Sequence, residues 1–219
     1  MERISWGKIQ NPVRGLLHGS AALMSVVGLI ILATVGVEAT VKIALLVYGV
    51  SLVGLYTTSS LYHCVPWSET WKDRFQKLDH TWIYVLVAGT CTPLLVASLD
   101  GLWTWAGLLF IWGLTAMGAF REFWPRVRRR WSVYVQITLG ALTLIPVALM
   151  LRAMEPAPRA LTAIGSVVYL VGLVLFVNRR PLLFPRIFSH HEVWHVFVVT
   201  ASIAHFLAVW QVAVAAPFV

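Results

Sequence analysis

Seven times along this chain of 219 residues, a run of 18 to 22 residues passes without a single Asp, Glu, Lys or Arg. The runs cover 15–35, 43–63, 82–99, 102–120, 131–151, 160–178 and 193–214. A helix needs about 20 predominantly apolar residues to cross the hydrocarbon of a bilayer. The composition points the same way. Hydrophobic residues make up 59% of the chain and charged residues 12%, with a mean hydropathy of +0.78, where a soluble domain carries about 25% charged residues. The expectation is an all-α polytopic membrane protein, a single domain over residues 1–219 with seven transmembrane helices and no attached soluble domain.

The breaks between runs contain Pro66, Asp100-Gly101, Pro125, Pro156, Pro158 and Pro181, residues at which helices should end. Pro93 and Pro146 fall inside runs 3 and 5 and predict kinks that neighbouring helices absorb. The first run is too long for a signal peptide and reads as a transmembrane helix. The longest loop, "WSETWKDRFQKLD", sets Trp67, Trp71, Phe75 and Leu78 on one helical stripe. That predicts a short helix lying in the membrane interface. Cys64 and Cys91 fall at the end and in the interior of runs, so no disulfide is expected.

Lysine and arginine set the orientation. The N-terminal segment and the loops after runs 2, 4 and 6 hold fourteen of them, and the opposite side holds three. Positive charge stays inside, so the N-terminus is expected in the cytoplasm and the C-terminus outside. The net charge of +8 is thereby an orientation signal and needs no nucleic-acid partner. G-protein-coupled receptors, with their N-terminus outside, are excluded on this topology. So are retinal proteins, which need a lysine in the last span, because the last lysine here is Lys77.

Histidine carries the chemistry. On this topology His18, His63, His80, His190, His191 and His195 lie near the cytoplasmic face, and His205 lies deep. Any one of them is tolerated at an interface without a function; six of seven at one level, with particular spacings, ask for more. "HHEVWH" at 190–195 contains H-E-x-x-H, in which His191 and His195 share a helix face and Glu192 could activate water, as in zinc proteases. The protease reading fails on the third ligand. No Asp or Glu follows Glu192, position 201 is Ala201, and His205 is ten residues beyond His195, about 15 Å along a helix. A third ligand for His191 and His195 has to come from upstream, and His63, at the end of run 2 with Ser59 one turn before it, is the best-placed candidate. Three histidines and a water form a catalytic zinc arrangement. Asp79 opens run 3, where a desolvated carboxylate is costly without a partner. Glu192 points about 100° away from His191, which suits a surface or supporting role. His80 and His190 read as interfacial, His205 as a buried hydrogen-bonded histidine, and Cys64 is offset from His63 in the same way.

"SSLYHCVPWSETWKDRFQKLDHTWIYVLVAGTCTPLLV" (59–96) and "FSHHEVWHVFVVTASIAHF" (188–206) resemble the hemolysin III branch of the progestin and adipoQ receptor family, relatives of the adiponectin receptors and similar to alkaline ceramidases. "PVRGLLHGSAALMSVVGL" resembles the family's first span and "GAFREFWPR" its middle basic loop, so the resemblance covers essentially the whole chain. It implies seven helices with the N-terminus inside, in the cytoplasmic membrane of a bacterium. It also implies a zinc ion held by residues matching His63, His191 and His195, with Asp79 holding the water on the metal and Ser59 close by. The chain departs from the family at Arg14 and Leu17, where Asn and Thr are frequent, and keeps His18 as a possible supporting group.

Two functions follow from the resemblance and the ligand set. The first is zinc-dependent hydrolysis of a membrane lipid amide in lipid homeostasis, with the zinc supplying a Lewis acid and an activated water and Asp79 orienting that water or taking its proton. The second is a non-enzymatic sensor or regulator of membrane state with structural zinc. A transporter or membrane-perturbing hemolysin ranks last, because such proteins carry ionisable groups near the midplane and these runs carry no Asp, Glu, Lys or Arg. The partner throughout is a membrane lipid, as substrate or ligand.

Overall fold

Among the described residues, seven long helices account for nearly all of the structure. The computed structural model describes residues 5–6, 9–124, 130–184 and 187–215. A two-residue hairpin, β1 (Ser5–Trp6) and β2 (Ile9–Gln10), pairs antiparallel before the first helix, a small addition to the all-α expectation. The helices are α1 (Pro12–Thr34), α2 (Ala39–Cys64), α3 (Glu69–Ser98), α4 (Gly101–Phe123), α5 (Arg130–Ala153), α6 (Pro156–Val177) and α7 (His190–Ala215). Six of them are long and apolar enough to cross a membrane, and α5 offers the shorter apolar stretch Ile137–Ala153 among the described residues. The protein is a multi-pass membrane protein.

Helix ends follow local chemistry. Pro12 and Pro156 stand at the first turns of α1 and α6, where a missing N–H costs nothing and the fixed φ suits the helix. Glu38 caps α2 by accepting from the Thr40 backbone N–H at 3.4 Å. Pro66 separates α2 from α3, and Pro93 and Pro146 lie inside α3 and α5. The break assigned to Pro125 and the arginines at 126, 128 and 129 lie outside the described residues, as do Arg3, Lys8, Arg186 and residues 216–219.

Several helices begin before their charge-free runs, and three of these starts matter at the site. The aromatic stripe expected as a separate interfacial helix is the start of α3, which runs unbroken for 30 residues. Nothing between Glu69 and Gly89 is Gly or Pro, and the Asp73–Lys77 pair at 2.6 Å, one turn apart, supports the exposed turns. The stripe itself forms: Trp67 and Phe75 stack with ring centroids 4.2 Å apart. In addition, α1 and α7 begin about a turn earlier than their uncharged runs, which brings Arg14 and Glu192 inside helices.

The core lies along α2, α3 and α7, with Leu45, Tyr48, Leu52, Leu94, Leu95 and Val209 fully or almost fully buried. The outward faces are just as apolar: Leu23, Met24, Leu102, Leu109, Val167 and Ile203 are all exposed. Such a surface suits lipid, not water. Close approach depends on glycine. A Cβ on Gly172 would lie 2.5 Å from Phe197 Cβ, and one on Gly49 would lie 2.6 Å from Leu29 Cδ1 and 3.3 Å from its Cα. Small residues at such crossings let membrane helices pack by van der Waals contact, where no hydrophobic drive separates lipid from protein.

Candidate metal centre

The end of α2 and the start of α7 bring three histidines together. His63 is the next-to-last residue of α2, and His191 and His195 lie one turn apart on the first turns of α7. His63 and His195 are buried, at 5% and 2% exposure. The three side chains each offer one nitrogen, and these nitrogens all lie within 4.8 Å of one another. An ion about 2.0–2.1 Å from three imidazole nitrogens at tetrahedral angles puts the ring centroids about 5 Å apart. The observed separations are 5.2 Å for His63–His191, 4.9 Å for His63–His195 and 5.0 Å for His191–His195. In addition, the buried His195 Nδ1 has no hydrogen-bond partner among the described residues. The residues present therefore fit a borderline divalent ion such as zinc, for which imidazole is a suitable donor.

One turn before His63 on the same face, Ser59 is 2% exposed. Its hydroxyl hydrogen-bonds to the Asp79 carboxyl on α3, and Asp79 is itself buried. The carboxylate just ahead of run 3, costly without a partner, thus has a polar one from α2.

The remaining histidines separate into distinct environments. His18 on α1 is buried, with its ring centroid 3.8 Å from that of His195 at an interplanar angle of 34°. The rings are tilted against each other, too close for two ligands of one tetrahedral ion. His18 also meets the edge of Tyr56 at 5.0 Å, and neither of its ring nitrogens has a hydrogen-bond partner among the described residues. His80 turns away to α4, its Nδ1 3.3 Å from Glu122 Oε2. His190 lies near the Phe176 ring at 6.0 Å. His205 hydrogen-bonds to the Thr162 backbone of α6 and sits over Gly165, where a Cβ would come within 2.6 Å of its Nε2. The sulfur of Cys64 is wedged against α1, where a Cβ on Gly15 would lie only 1.7 Å from it.

Sequence reasoning missed the role of Glu192. It is 6% exposed and forms an ion pair with Arg14, with Arg14 Nε donating to Glu192 Oε1 at 2.6 Å. Its other oxygen accepts from the Ser189 backbone N–H at 2.7 Å and from the Ser189 hydroxyl at 2.8 Å. Ser189-x-x-Glu192 forms the glutamate half of a helix capping box, in which the glutamate three residues into the helix reaches back to the capping residue. The signal was in the sequence as S-x-x-E ahead of an apolar run, overlaid by the more conspicuous H-E-x-x-H.

A sequence model of the family described as Haemolysin-III related matches residues 6–206. The chain is 32% identical over 207 residues to the hemolysin-3 homolog of Bacillus subtilis (strain 168), covering 93% of this chain and 94% of that one. It is 33% identical over 213 residues to hemolysin-3 of Bacillus cereus, covering 95% and 94%. The human monocyte to macrophage differentiation factor is 26% identical over 204 residues, covering 89% of this chain and 80% of that protein.

Proposed function

This chain belongs to the haemolysin-III related family, the hemolysin III branch of the progestin and adipoQ receptors, and from that membership and its histidine cluster we propose that it is a zinc-dependent hydrolase of a membrane lipid amide. The observation that carries this reading is the matched spacing of three imidazoles from two helices, with a buried carboxylate oriented by Ser59 one turn away. Zinc held by His63, His191 and His195 would polarise the acyl carbonyl and acidify an attacking water. Ser59 holds Asp79 in one orientation. Asp79 takes the proton from the water as its oxygen bonds to the acyl carbon, then gives it to the amine as the C–N bond breaks. The products are a fatty acid and an amine, one water having been consumed.

A second reading keeps the metal and drops the chemistry. His63 belongs to α2 and the other two histidines to α7, so an ion there would tie two helices of a non-enzymatic membrane sensor. The names of the two Bacillus relatives also admit a membrane-perturbing role.

The decisive experiment measures zinc content and lipid-amide turnover of detergent-purified protein. Asp79→Ala should keep its zinc and lose hydrolysis, because the imidazoles remain while the water loses its base. His191→Ala should lose much of the metal. An Asp79→Ala protein that keeps both zinc and the parent's activity would sink the mechanism. The reading also takes the N-terminus as cytoplasmic, from the charge split of fourteen to three. A C-terminal reporter that works only in the cytoplasm should then be silent, and a signal from it would reverse the orientation or change the number of spans.

A further inference from the structure

Two of the three histidines sit on the first two turns of α7, where the leading N–H groups lack intrahelical partners and the helix frays unless capped. Glu192 lies between them in sequence, next to His191 and three residues before His195. Three donors hold its carboxylate: Arg14 Nε from α1, and the backbone N–H and hydroxyl of Ser189 ahead of α7. The Arg14 and Glu192 side chains are 3% and 7% exposed, so the pair is buried. One turn further along α1, His18 lies against the ring of His195. Helix α1 therefore touches the ligand-bearing turns of α7 in two successive layers, an ion pair and then a ring contact.

We propose that Arg14 and Glu192 are positioning residues for the metal centre, with α1 holding the first turn of α7 at the angle from which His191 and His195 meet His63. This rests on the reading of the three histidines as a metal site. The physical need is tight. Ligand nitrogens around a tetrahedral ion sit about 3.3 Å apart, and a site loosened by about 1 Å loses much of its function. A buried ion pair adds little net stability, but removing one partner leaves an uncompensated charge. This separates the pair's effect on folding from its effect on the metal. Each single neutralisation harms both, whereas neutralising both partners relieves the stranded charge and still removes the tie.

The test uses the full chain in detergent, stripped of metal. Its readouts are Zn2+ affinity by competition with a chelating dye, the visible spectrum of the Co2+ form, and the thermal midpoint of the metal-free protein. Arg14→Met should weaken zinc binding about 10- to 100-fold, the scale seen when groups that orient metal ligands are removed, and should alter the Co2+ spectrum. Arg14→Met with Glu192→Gln should recover much of the metal-free thermal midpoint while zinc binding stays weak. If Arg14→Met does not fold, Glu192→Gln alone serves. Its amide oxygen still accepts from Ser189, so the cap persists, and a fall in zinc affinity with an altered Co2+ spectrum is again expected. If the parent binds zinc and the variants bind it equally tightly with the parent's Co2+ spectrum, the positioning role is refuted and the metal site stands. A parent that takes up no zinc overturns the metal reading itself, and the pair's role with it.

Discussion

The two ends of the α1–α2–α3–α7 bundle are built on different rules. At one end the chain buries Arg14, His18, Ser59, His63, Asp79, Glu192 and His195. Further along the same helices it buries Leu32, Leu45, Tyr48, Leu94, Ala208 and Val209. Contacts at the first end are directional. Arg14 meets Glu192, Ser59 meets Asp79, and three imidazoles gather with their nitrogens within 4.8 Å of one another. Contacts at the second end depend on shape, with glycine allowing one helix to lie against the next. A directional end has few acceptable alternatives, because each polar group removed strands another. A packed end tolerates exchange within a volume. If this contrast is real, changes at the first end should act on the metal and changes at the second on stability.

The largest separation should come from two histidines on one helix. His195→Ala removes one of three ligands, and a structural zinc site is worth about 10–16 kcal/mol. A third of that is on the order of a 10³-fold loss of affinity. His205→Ala, ten residues along α7, removes a contact to the Thr162 backbone and to Gly165 and should leave zinc affinity within about twofold of the parent. Chelator competition on the two variants measures both. Equal losses would erase the contrast between the ends.

A smaller effect is expected where α6 packs on α7. Gly172→Ala drives a methyl to 2.5 Å from Phe197 Cβ, an atom fixed to its backbone that no rotamer change can move. Overpacking of this kind costs about 1–3 kcal/mol. Gly113→Ala on α4 meets nothing within 4 Å and should be neutral or gain up to about 1 kcal/mol from helix propensity. Equilibrium unfolding in a denaturing detergent would rank them. Phe197 lies only two residues beyond His195, so if Gly172→Ala loses zinc before it loses stability, shape packing beside the histidines is coupled to the metal and the two-rule description fails.

The sequence revealed these parts unequally, for physical reasons. Helix positions were legible because hydrocarbon excludes both irregular backbone and charged spans, so breaks in the charge-free runs marked every helix end but the start of α3 to within a few residues. The histidine cluster was legible because i, i+4 spacing fixes a shared face. His63 was reached by elimination, and the structure brings it to the other two. The same rule hid Arg14 and Glu192. Spans were defined by the absence of charge, and a buried ion pair at the helix ends falls outside that definition. The unbroken start of α3 was hidden similarly, since polarity was taken to end the span although no residue there breaks a helix. The ring contact of His18 with His195 had no sequence signal, because it depends on the crossing of α1 with α7.

The smallest effect tests where one rule gives way to the other. Tyr56 stands at that seam. Its ring meets His18 edge to face, and its hydroxyl donates to Ser202 Oγ at 2.7 Å, with the Val198 carbonyl at 3.4 Å. Tyr56→Phe keeps the ring and deletes only the hydroxyl, so the contact with His18 survives while one link between α2 and α7 is lost. Hydrogen bonds between membrane helices average about 0.6 kcal/mol, because the unfolded chain in the membrane also finds partners. A stability loss of that size with zinc affinity unchanged would assign the Tyr56 layer to the packed end. A tenfold fall in zinc affinity would assign it to the directional end instead. The seam would then lie below the Ser202 layer, with Tyr56 helping, through His18, to hold the face of His195.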